Sequence, residues 1–76
     1  MAIYYFNVID GDHEEIDVVG KPCPDDVAAL SEAFRVASDV LQRRLIYDSC
    51  TAGGVVEVES EDHRLLFSMP VSAATY

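Results

Sequence analysis

Basic side chains are scarce in this chain: five Lys/Arg stand against fourteen Asp/Glu, a formal net charge of −9. Nucleic acid and anionic membrane surfaces select the opposite sign, because affinity there comes from Lys and Arg neutralising phosphates. Neither is an expected direct partner. No apolar run approaches the length of about 18 residues that a membrane-crossing helix needs. No basic segment leads into an apolar stretch and a small-residue cleavage site, so the expected location is cytoplasmic. Cysteine is equally sparse, with Cys23 and Cys50 only, and neither a C-x-x-C pair nor a zinc-type Cys/His spacing is present. The two flank opposite ends of a long helix argued below, well beyond the ~7 Å between Cα atoms that a disulfide tolerates. Two free thiols are expected. Also missing are a phosphate-cradling glycine loop, a Gly-x-Ser-x-Gly turn and a specific Ser/His/Asp set. The chain is read as a non-enzyme with no catalytic residue, no cofactor and no metal.

What is present points to one small domain, residues 1–76. Half of the residues are hydrophobic, which excludes disorder. A core in a chain below about 80 residues rarely supplies more than ~3–5 kcal/mol, so small domains often add oligomerisation. Seven acids crowd the first 26 residues, with Lys21 the only base there.

The chain opens with "AIYYFNVI" (2–9), apolar on both faces of a strand, since side chains alternate. Tyr4, Phe6 and Val8 share one face; Ile3, Tyr5 and Ile9 share the other. "DGD" (10–12) is a turn signal. "EEIDVV" (14–19) alternates weakly and predicts a short edge strand returning in a hairpin. "GKPCP" (20–24) reads as a breaker-rich turn. The stretch 25–47 predicts a helix capped by Asp25 or Asp26, with Val27, Leu30, Phe34, Ala37, Leu41 and Leu45 on its buried stripe. Glu32–Arg35 and Asp39–Arg43 are spaced to pair on its outer face. Gly53–Gly54 ends any helical continuation. "VVEVES" (55–60) and "RLLFSMPV" (64–71) predict a second hairpin. Val56, Val58, Leu65, Phe67 and Met69 face inward, Pro70 ends the last strand, and 72–76 trail off as a fraying tail. The predicted fold is α+β, β-β-α-β-β, a small antiparallel sheet with one amphipathic helix packed on one face.

"YYF" at Tyr4–Phe6, "DG" at Asp10–Gly11, Asp17–Gly20, "PD" at Pro24–Asp25, the alanine-rich helix start and the closing Met69–Pro70 together resemble short bacterial domains of unknown function that open with a Tyr-Tyr-Phe strand. The turn at 60–63 departs from the glycine-bearing turn usual there. The resemblance implies a fold and no chemistry. A weaker similarity is to antitoxin subunits of bacterial toxin–antitoxin pairs, which place strands before a helix opening in Asp/Glu.

His13 and His63 each follow an aspartate in a turn, where solvated side chains are the expectation. "DGDHEEID" begins like a calcium loop, but that loop needs glycine at its sixth position and glutamate at its twelfth. Those positions hold Glu15 and Lys21. Glu57 and Glu59, two apart on a strand, read as solvent-facing.

One helix covers one sheet face. That leaves Ile3, Tyr5, Ile9, Val55 and Leu66 on the other, and these five form the expected interaction face. The expected function is a small acidic protein-interaction or self-associating module, a homo-oligomer or the binder of a protein partner. The alternative is an antitoxin-like or nucleic-acid-mimicking acidic inhibitor of a basic partner. Salt separates the two, because it screens acid-to-base contacts and leaves apolar ones.

Overall fold

The computed structural model describes residues 1–11, 13–46 and 54–74, the side chains of 13 and 44–46 excepted. Its elements are β1 (Ala2–Asp10), β2 (His13–Glu15), β3 (Lys21–Cys23), α1 (Asp26–Ile46), β4 (Val55–Glu59), β5 (Leu65–Pro70) and a closing 3-10 turn (Val71–Ala74). The sheet is antiparallel throughout, in the order β2-β1-β4-β5, with β3 also on β1. The fold is α+β, a small antiparallel sheet with one helix, and the element order is β-β-β-α-β-β.

The additional strand is β3, in the stretch expected to be a turn. Lys21–Cys23 pairs with Tyr4–Ala2, so Pro22 lies opposite Ile3. Proline lacks a ladder donor but is tolerated at a sheet edge. The predicted strand over 14–19 is correspondingly shorter: only His13–Glu15 pairs, with Asp10–Val8. Between these two pairings the chain leaves the sheet, and the side chain of Asp17 fills the gap. Its Oδ2 accepts the Phe6 N–H at 3.1 Å, while Oδ1 accepts the Val19 and Gly20 N–H groups at 3.0 and 2.9 Å. Asn7 Oδ1 accepts the Asp17 N–H at 2.9 Å. An unpaired buried backbone donor costs as much as a lost hydrogen bond, so one carboxylate does here what a continuous strand would have done.

The helix starts as expected. Asp25 is the N-cap: its Oδ1 accepts the Ala28 N–H at 2.8 Å. The buried face is different from the predicted one. Ala29, Ala33, Ala37 and Val40 point into the core, whereas Val27, Leu30 and Phe34 are exposed, Phe34 to 42%. Of the predicted stripe, Ala37 is buried and Leu41 half-buried; the side chain of Leu45 lies outside the described residues. Small side chains let the helix sit close to a sheet that supplies the bulk from Tyr4, Phe6, Val8, Val56, Val58 and Met69. The Asp39–Arg43 pair is also replaced. Asp39 meets Arg35 at 2.8 Å, and Arg43 reaches across to Glu15 at 3.4 Å. Glu32 pairs with Arg35 as predicted and takes Lys21 of β3 as a second partner at 2.8 Å.

In the second hairpin Val58 faces Phe67, but the next pair is Glu59 with Leu65, a bulge that leaves Leu66 as the extra residue. A bulge shifts the alternation by one. Leu65, predicted to be in the core, therefore joins Glu59 on the outer face and is exposed. β5 ends at Pro70 as expected. The expected fraying tail is ordered through Ala74: Val71 is fully buried, its N–H bonds the Gly54 carbonyl at 2.9 Å, and the 3-10 turn packs against α1.

Candidate interaction surfaces

β1 carries Ile3, Tyr5 and Ile9 on the sheet face away from the helix, and register places Val55 opposite Ile9 there. Leu66 borders the same depression as Ile3 at one end of the sheet. Ile3, Tyr5, Ile9 and Val55 therefore share this face, with Leu66 at its end, but the chain itself closes much of it. The Tyr5 ring stacks on His63 with centroids 4.4 Å apart and planes at 25°. His63 adopts a left-handed φ of 64° in the β4–β5 turn and contacts Glu59 through Nδ1 at 3.2 Å. Gly20, at φ 80°, lies against Ile3 and Tyr5: a Cβ there would stand 2.5 Å from Ile3 Cγ2. Asn7 is buried on this face by its bond to Asp17. Ile3, Tyr5, Ile9 and Val55 end half-buried, and Leu65 and Leu66 remain exposed.

The second apolar surface is on α1. Val27, Leu30 and Phe34 recur at the 3-4 spacing that keeps one side of a helix in line, with Val27 exposed to 73% and Leu30 to 41%. Sequence reasoning found these residues and assigned them to the core. The signal for the correct face is the four-residue spacing of Ala29, Ala33 and Ala37.

Chemistry in the interior is subdued. The Tyr4 hydroxyl donates to Asp26 Oδ1 at 2.7 Å, and that bond and its negative partner push the phenol up to about 12. Cys23 is free and buried, and burial pushes its thiol up as well, which works against thiolate reactivity. Glu32 is held below the usual carboxylate range by its hydrogen bond from Arg35, aided by Lys21. A groove of about 580 Å³ between β2 and α1 has Phe6, Val8 and Val36 among its lining and carries the Arg43–Glu15 pair at its edge. Among the described residues no group of three or more His, Cys, Asp or Glu is placed to hold a metal ion, and no helix is long and apolar enough to cross a membrane. Cys50 and the side chain of His13 lie outside the described residues.

The sheet with its Asp17 plug, the left-handed Gly20 and the capped helix coincide with the span matched by a family model, residues 3–72, described as a domain of unknown function (DUF6894). The chain belongs to the DUF6894 family. Comparison with curated proteins and with solved structures gives no significant match. The DUF6894 span takes in β1 through the first residues of the 3-10 turn, so both apolar surfaces lie within it.

Proposed function

We propose that this DUF6894 domain is a protein-interaction module that works by apolar contact, with no chemistry of its own. The observation that carries the reading is the orientation of α1. Its alanines complete the core, and Val27, Leu30 and Phe34 stand outside it. Large side chains left in water at this density mark a surface that another protein covers. Domains this small gain proportionally most from such cover. The raised ionisation of Tyr4 and Cys23 supports a structural role for both groups. Direct binding to nucleic acid or membrane is disfavoured by the net charge of −9, and a cytoplasmic location suits the two cysteines.

Sedimentation of the fluorescently labelled chain, alone and in extract of its native cell, tests the reading at low and molar salt. Assemblies larger than the 8.4 kDa chain that survive high salt are the expected result, because screening weakens charge contacts only. Assemblies that dissociate in salt would favour the acidic-inhibitor alternative. A chain that sediments alone under every condition refutes both.

A further inference from the structure

Charge is segregated across this molecule. Beyond the first turn of α1, where Asp26 accepts the Tyr4 hydroxyl, the charged residues Glu32, Arg35, Asp39 and Arg43 gather on one flank, and two of them are tied to the β2/β3 edge through Glu32–Lys21 and Arg43–Glu15. At about 100° per residue the side chains of Val27, Leu30, Phe34, Ser38 and Leu41 fall on the other flank, away from β2 and β3 and toward the β5 side of the sheet. None of the five is charged. Nor is any residue of β5 or the 3-10 turn: from Leu65 to Ala74 there is no charged side chain. Among the described residues, a chain with a net charge of −9 thus keeps this flank of α1, β5 and the 3-10 turn free of charge.

We propose that the partner on this side is a second copy of the chain, docked helix against helix about a two-fold axis near Phe34. This rests on the interaction-module reading and names its partner. A second copy carries the same excess of acids, so two copies repel wherever charged surfaces meet and can approach closely only along the uncharged flank. A basic partner would find no acid on this flank to pair with. A two-fold axis that crosses the helices at right angles near Phe34 makes them antiparallel, with residue i of one copy meeting residue j of the other and j meeting i. Val27 then meets Leu41 of the other copy, Leu30 meets the small Ser38, and the two Phe34 rings meet at the axis. The same register sets the first turn of each helix alongside the last turn of the other. Opposed helix ends are favourable by dipole as well. A standard interface takes about 800 Å² per partner, roughly a sixth of the chain's 5008 Å², which one side of so small a domain can supply.

Sedimentation equilibrium of the purified full chain at rising concentration reads the outcome directly. The expected result is a reversible dimer, weakened about 100-fold or more by Phe34→Glu, which buries an unpaired carboxylate at the axis. Helical circular dichroism should be retained, because Phe34 is outside the core. In a Cys50→Ser background, Phe34→Cys should form an intermolecular disulfide on mild oxidation, since the two copies of residue 34 adjoin and Cys23 is buried. That variant also decides the matter if Phe34→Glu fails to fold. A chain that stays monomeric at high micromolar concentration overturns the inference; assemblies seen only in cell extract would then leave the broader reading standing. A dimer that survives Phe34→Glu and does not cross-link, and that Tyr5→Glu dissolves, also overturns it in favour of the outer sheet face.

Discussion

Two neighbouring residues on α1, Ala33 and Phe34, should respond to substitution in the opposite order from their size. Phe34 is 42% exposed and Ala33 fully buried. Full burial of a phenylalanine contributes roughly 1.5–3 kcal/mol, so a ring a little over half covered contributes about 1–1.7. Truncation opens no closed cavity at a border with solvent, and alanine gains about 0.5 kcal/mol of helix propensity over phenylalanine. Phe34→Ala is therefore expected to cost about 0.5–1.2 kcal/mol in the monomer. Ala33→Leu inserts three carbons into the seam between α1 and the sheet, where close approach depends on small side chains. Overpacking of this kind costs about 1–3 kcal/mol, and more where the opposing wall is a sheet that cannot yield. Urea unfolding followed at 222 nm, at concentrations low enough to keep the chain monomeric, measures both. A loss of 3 kcal/mol or more for Phe34→Ala with Ala33→Leu tolerated would mean that the helix is rotated by about one residue, and the exposed stripe would vanish with it.

Asp17→Ala removes the acceptor of the Phe6, Val19 and Gly20 N–H groups, and the expected loss is roughly 2–4 kcal/mol. Asp17→Asn should recover part of it, with hydrogen exchange at Phe6 as the local readout. Gly20→Ala meets both a φ of 80° and Ile3 Cγ2 at 2.5 Å, so a loss of about 2–4 kcal/mol is expected by thermal unfolding; a loss below ~0.5 would show that the 16–20 segment stands off the sheet. For Glu32 the folded state holds the carboxyl below its ordinary 4.5. The folded form thus binds its proton less readily than the unfolded form, and the resulting stability is present above the unfolded value and lost as pH falls through the folded one. Glu32→Gln should flatten the decline in stability below about pH 4.5 relative to wild type. Identical acid profiles would remove Glu32 from the account. Tyr4 has the opposite sense: its phenol, raised to about 12, contributes stability that is lost as pH climbs from about 10.

How far the fold could be read from the residues depended on whether a local pattern had one solution or two. The two faces of β1 were legible because alternation leaves no choice once Tyr4, Phe6 and Val8 are set inward. An aspartate cap at 25 or 26 and the end of β5 at Pro70 were legible because each rests on a single chemical requirement. The helix was different. Val27, Leu30 and Phe34 satisfy a helical stripe, and so do Ala29, Ala33, Ala37 and Val40, offset by about one residue step. Size favoured the first set. The sheet chose the second, because a thin core already filled by Tyr4, Phe6 and Met69 has room only for small side chains, three alanines and Val40. β3 was masked by Pro22 and Pro24, which look like breakers unless the strand is known to be an edge. The bulge that turned Leu65 outward has no local signature at all, since it belongs to the pairing of two strands. Asp17–Gly20 did carry a signal: an aspartate accepting N–H groups two and three residues on, closed by a left-handed glycine, is a turn that local chemistry favours. Its role as a substitute for a missing stretch of strand became visible only with β2 and β3 placed at either end of β1.

The same misplacement separates the two apolar surfaces in kind. The outer sheet face, Ile3, Tyr5, Ile9, Val55 and Leu66, looked open because one helix covers one face. Here the chain covers the second face itself, laying Gly20 against Ile3 and Tyr5 and stacking His63 on Tyr5. Those contacts bring Glu59 and Glu61 to the border, the latter accepting the Ile3 N–H at 3.1 Å. A second acidic chain approaching that face would meet carboxylates around a surface already half closed. The flank of α1 has neither obstacle. Its apolar residues are covered by no described segment beyond the 3-10 turn, its long borders are serine, glutamine and the uncharged run from Leu65 to Ala74, and Asp25 and Asp26 stand at its N-terminal end. Apolar area sets how much association can gain, but the charge at its rim decides which partner can reach it. By that criterion the flank suits another copy of an acidic chain, and the sheet face suits, at most, a partner that brings its own bases.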